Sequence, residues 1–74
     1  MNEVQYNAIN FLMNVACIMP VDEKTFKSIW IGFNLDGPEM KQVCLHVAEQ
    51  CYAGLNKSCG DWAMELVKYA IQEC

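Results

Sequence analysis

Apolar residues recur at intervals of three and four along four stretches of this chain, and each stretch is bounded by capping or turn-forming residues. That interval is the signature of an amphipathic helix. The first stretch runs from about Glu3 to Met19 and is halted by Pro20, which cannot continue a helix. Val4, Ala8, Phe11, Leu12, Val15, Ile18 and Met19 are expected to share its apolar face, with Glu3, Asn7, Asn10 and Asn14 opposite. The second stretch starts at Asp22, and Phe26, Ile29, Trp30 and Phe33 follow at i, i+3, i+4 and i+7. Residues 25–33 are also rich in β-branched and aromatic side chains, as a strand would be. A lone strand would need a partner from another chain, so a helix is the simpler reading.

The third stretch opens at Asp36 or Gly37 with Pro38 in its first turn, where the missing N–H costs nothing. Met40, Val43, Cys44, Val47, Ala48, Cys51 and Leu55 keep helical register until Gly54 and Asn56 end it. The fourth is capped by Ser58 or Asp61. Its apolar arc is wide: Trp62, Ala63, Leu66, Val67, Ala70 and Ile71, with Met64 at the margin. Only Glu65, Lys68 and Gln72 form a clear polar stripe, and a surface helix of a small bundle does not need so broad an arc.

Two helix starts share one grammar. In Val21-Asp22-Glu23-Lys24-Thr25-Phe26 and in Leu35-Asp36-Gly37-Pro38-Glu39-Met40, an Asp stands where its carboxylate can accept from an orphan N–H of the first turn. The flanking apolar pairs, Val21 with Phe26 and Leu35 with Met40, would close hydrophobic staples, and Glu39 would complete a capping box on Asp36. The fold class implied is all-α, a compact domain of three or four short helices spanning residues 1–74.

Composition narrows the function classes. Net charge is −4, from nine acids against five basic residues, all of them Lys. Without Arg, the favoured side chain for bidentate phosphate and guanine contacts, direct nucleic-acid binding and an anionic membrane surface are both disfavoured. The five cysteines are an odd number. The start, Met1-Asn2-Glu3, carries no positively charged leader region, so the thiols are expected to be reduced and the location cytoplasmic.

The chemistry-bearing residues do not assemble into a reactive set. There is no C-x-x-C pair and no pair of histidines, so the usual zinc spacings are missing. Cys44 and Cys51 share a helix face but stand about 10 Å apart along the axis, too far to ligate one ion; a composite of Cys51, Cys59 and His46 is the remaining arrangement, and small core thiols are the simpler reading. His46, the single histidine, has Gln42, Glu39, Glu49 and Gln50 as helical neighbours, and Cys44 points away from it. Ser28 or Ser58 with His46 has no local support as a triad. Asn34-Leu35-Asp36-Gly37 resembles the start of a calcium loop, but Val43 stands where the closing acid belongs. No cofactor, metal or catalytic residue is expected, and the chain is read as a non-enzyme.

Two surfaces are left over. One is the Asn7, Asn10 and Asn14 ridge, continued by Cys17. The other is the outer arc formed by Met64, Val67 and Ile71. These residues, with the acids Asp22 and Glu23, are the candidate partner-binding set. The expected function is a small acidic protein-binding module acting stoichiometrically. By analogy with phage and mobile-element proteins, it would inhibit a host protein or nucleic-acid-handling complex by occupying a basic surface with its acids. The alternatives are an obligate homodimeric scaffold subunit joined through the fourth helix, and a small carrier of a hydrophobic ligand or metal.

Overall fold

In a computed structural model that describes residues 2–72, the described residues form four α-helices and no strand. Helix α1 is Glu3–Ile18, α2 is Glu23–Gly32, α3 is Lys41–Tyr52 and α4 is Lys57–Gln72; a 3₁₀ turn, Pro38–Met40, leads into α3. The all-α expectation holds, and residues 25–33 are helix rather than strand.

Each helix start has an identifiable cause. The Asn2 side chain accepts from the Gln5 N–H at 2.8 Å while the Gln5 side chain accepts from the Asn2 N–H at 3.2 Å, a full capping box. Asp22 caps α2 as expected, accepting from the Thr25 N–H at 2.7 Å. That bond, made first to the backbone, holds the Asp22 carboxyl below its usual range. Asp36 does not cap α3. The side-chain-free Gly37 takes the N-cap position of the 3₁₀ turn, and Met40 stands at the N-cap of α3 with no side-chain bond. Glu39 does not reach back to Asp36; its carboxylate lies over Gly37, where a Cβ would stand 2.8 Å from Oε1. Neither Ser58 nor Asp61 caps α4. Asn56 does, accepting from the Cys59 N–H at 3.0 Å.

Helix α2 ends in a Schellman motif. The Leu35 N–H donates to the Trp30 carbonyl at 3.2 Å and the Asn34 N–H to that of Ile31 at 2.9 Å. Asn34 takes the left-handed conformation this requires, with φ 60°. The motif is locked from inside. Trp30, fully buried, donates from its indole N–H to the Leu35 carbonyl at 3.0 Å, and the Cys44 thiol donates to the same oxygen at 3.7 Å. Phe26 stacks on Trp30 with ring centroids 5.9 Å apart. The Gln5 amide donates to the Asn34 carbonyl at 3.2 Å and ties this corner to the start of α1.

Helix α4 is the hub. It packs against α1, α2 and α3, and α1 also meets α3. This is the physical reason for the wide apolar arc, and it overturns the expectation of an exposed one. Val67 is 0% exposed, Met64 is buried, and Ile71 packs against the core, so these side chains meet neighbours within the domain. Trp62, placed with the inward arc by its spacing, is exposed instead. Gly60, Ala63 and Ala70 are buried and small, which lets three helices approach one axis.

Candidate protein-docking face

Helix α1 carries two apolar stripes. The inward one is Ala8, Ile9, Leu12, Met13 and Ala16, all buried. The expected inward face is therefore wrong in part. Ala8 and Leu12 belong to it, but Val4 is 70%, Phe11 59% and Ile18 80% exposed, and Met19 is exposed beyond them. The helix is turned so that Ile9, Met13 and Ala16 meet the bundle with Ala8 and Leu12, while Val4, Phe11 and Ile18 stand out.

Val4, Phe11 and Ile18 recur at intervals of seven, with Asn7 and Asn14 between them at i+3. This is the a/d spacing of a two-helix seam, with apolar a and amide d positions, and it runs about 21 Å along α1. The seam is electrically neutral: after Glu3, no residue before Asp22 is charged. Val4, Asn7, Ala8 and Phe11 line a groove of about 380 Å³ whose far wall is Phe33, the residue that closes α2. The spacing i, i+3, i+4, i+7 is the four-residue hole that receives a side-chain knob from a facing helix. Phe33 belongs to the stripe expected on α2, where Phe26 and Trp30 are buried and Phe33 is exposed.

The three asparagines are not equivalent. Asn14 donates to the Asn10 carbonyl at 2.7 Å and to the Asn10 side-chain oxygen at 3.0 Å, so that pair is held against its own helix. Asn7 lines the groove. Cys17 does not continue the ridge; it packs against the core and faces α4. Glu23 is exposed in the first turn of α2, and Asp22 is occupied as the cap.

A second hollow, of about 410 Å³, is lined by Glu49, Tyr52, Asp61, Met64, Glu65 and Lys68. Its polar feature is the Tyr52 hydroxyl, which donates to Asp61 Oδ1 at 2.7 Å. The Asp61 carboxylate, through that bond first and its charge also, pushes the phenol pKa above its usual value and keeps the proton on oxygen. The bond is a tether between α3 and α4. His46 lies on the exposed face of α3 and pairs with Gln50 at 3.0 Å. Among the described residues no group of three or more His, Cys, Asp or Glu is placed to hold a metal ion, and no helix is long and apolar enough to cross a membrane.

The α1 seam had a visible signal in the sequence. Ile9 and Met13 are apolar and lie outside the expected face, so α1 carries more apolar surface than one interface absorbs. The chain matches no protein-family model, and no characterised protein or solved structure is significantly similar to it.

Proposed function

We propose that this protein is a stoichiometric protein-binding module that performs no catalysis and docks through the outer face of α1. One observation carries this reading: Val4, Phe11 and Ile18, three of the exposed large hydrophobic side chains of α1, stand in one heptad-spaced row on a helix whose other apolar stripe already fills the core. Exposed apolar rows of this kind mark interaction sites. The occupant proposed is an amphipathic helix of another protein. Its apolar knob would enter the hole between Val4, Asn7, Ala8 and Phe11, and its contact stripe would be uncharged to match the neutral seam. Inhibition of the protein that supplies that helix is the corresponding biological role. Among the described residues the acids other than Glu3 stand at Asp22 and beyond, outside α1, so they would steer orientation at the rim rather than fill the seam.

A second reading has one observation in its favour. An α1 that is uncharged beyond Glu3 lets two copies of a chain with net charge −4 meet with few acids brought together, so the partner helix can be α1 of a second copy. The homodimer would then form through α1 and not through α4.

Phe11→Glu tests the proposal. Phe11 is well exposed, so the variant should keep its helix content and melting temperature. A charge in the seam should abolish the one-to-one complex with a partner cross-linked at α1. A folded Phe11→Glu variant that forms the same complex as wild type overturns the reading. Sedimentation of the isolated wild-type protein over a dilution series separates a second copy from a foreign helix.

A further inference from the structure

Cys17 near the end of α1 and Cys59 in the first turn of α4 are 42 residues apart in sequence, yet the Cys59 thiol lies 3.9 Å from the Cys17 carbonyl oxygen. Both cysteines are partly buried, and the Cys59 backbone is fixed by its N–H bond to Asn56. The other two described cysteines are placed differently. Cys44 is fully buried and donates to the Leu35 carbonyl, and Cys51 is partly buried on α3. A Cys59 sulfur in contact with the Cys17 backbone brings the two residues together from different helices, which is the first demand of a disulfide.

We propose that Cys17 and Cys59 form a dithiol site that exchanges with a low-molecular-weight disulfide of the glutathione type and closes into a bond stapling α1 to α4. The site stands on these two residues whatever docks on α1. In the first step the Cys59 sulfur, having given up its proton, attacks one sulfur of the small disulfide RSSR. Its S–S bond breaks, RS⁻ leaves and takes up a proton, and Cys59 carries a mixed disulfide. In the second step the Cys17 sulfur, deprotonated, attacks Cys59 Sγ and expels the second RS⁻. Overall the two protein thiols are oxidised to one disulfide and RSSR is reduced to two RSH.

The order of the steps follows from the surroundings of Cys17. Burial, with the Cys59 thiol beside it, pushes the Cys17 pKa up to about 11, so at neutral pH this thiol holds its proton. It is therefore the resolving sulfur. Its contact with Cys59 supplies in proximity what it lacks in thiolate.

The test uses the full chain in a buffer of reduced and oxidised glutathione, quenched by alkylation. Cleavage after lysine gives each candidate its own peptide: 1–24 holds Cys17, 42–57 holds Cys44 and Cys51, 58–68 holds Cys59, and 69–74 holds Cys74. The expected product is a disulfide between 1–24 and 58–68 in a protein two hydrogens lighter. It should melt higher than the reduced form by more than about 10 °C, because the bond closes a long loop. Cys17→Ser should stop at glutathione attached to 58–68, and Cys59→Ser should leave 1–24 unmodified. A bond through 42–57 or 69–74, or a folded protein whose Cys17 and Cys59 stay fully alkylatable at every glutathione ratio, overturns the proposal.

Discussion

Replacing Gly60 with alanine probes the contact that seats α3 on α4. Gly60 is buried in the first turn of α4, and a Cβ there would stand 2.7 Å from Cδ2 and 2.8 Å from Cε2 of Tyr52. Carbon atoms do not pack that closely. Helix propensity alone favours alanine by about 0.8–1.0 kcal/mol, and overpacking costs about 1–3 kcal/mol. The ring cannot swing aside freely, because its hydroxyl is held by Asp61 at 2.7 Å. The net expectation for Gly60→Ala is a loss of about 1 kcal/mol, or roughly 4–8 °C in melting temperature for a domain of this size. In a Tyr52→Ala background the obstruction is gone, and the same substitution should become stabilising by up to about 1 kcal/mol. The assay is urea unfolding of the four proteins of the cycle, followed by far-ultraviolet circular dichroism. If Gly60→Ala has the same effect in both backgrounds, within about 0.5 kcal/mol, the two residues are uncoupled and the packing described is wrong.

Three further expectations rest on single residues. Asn34→Gly should raise the melting temperature, because glycine takes φ 60° without penalty, whereas Asn34→Val should lower it by the equivalent of about 1–2 kcal/mol. Asp22→Ala should destabilise at neutral pH and Asp36→Ala should be nearly neutral, since only Asp22 caps a helix. The Asp22 carboxyl titrates below its unfolded value of 3.8, so its contribution is present above that pH and is lost as pH falls through the folded value; melts of wild type and Asp22→Ala should therefore converge in strong acid. Val67→Glu should fail to fold cooperatively by circular dichroism, because it places a charge at a fully buried position; a well-folded variant would remove α4 from the centre of the bundle.

Helix existence was legible because local chemistry sets it. Pro20, Asp22 and Pro38 act within one turn of their own positions, and the observed boundaries follow them. Orientation was not legible on α1. Its two stripes, Val4/Phe11/Ile18 and Ile9/Leu12/Met13, are equally apolar, and only the neighbours decide which turns inward. On α4 the wide arc reads as surplus apolar surface for an outside partner, and that reading fails because three helices of the same domain cover it. Gly60, Ala63 and Ala70 were the available signal that helices cross it closely from several sides. Asn34 was read within a calcium-like loop, and its role as the left-handed close of α2 depends on Trp30 reaching the Leu35 carbonyl. The meeting of Cys17 with Cys59 is a contact across most of the chain, which no local spacing encodes.

A scan of photo-cross-linking side chains, placed one at a time in the native host, tests the docking face most directly. Positions 4, 11, 18 and 33 should each yield an adduct with one and the same protein, in one-to-one ratio, because Val4, Phe11, Ile18 and Phe33 are exposed on or beside the seam. Positions 46, 49 and 65, exposed on α3 and α4, should yield none with it. Adducts of equal strength at all seven positions, or a maximum on α3 and α4, would contradict the assignment of α1 as the binding surface.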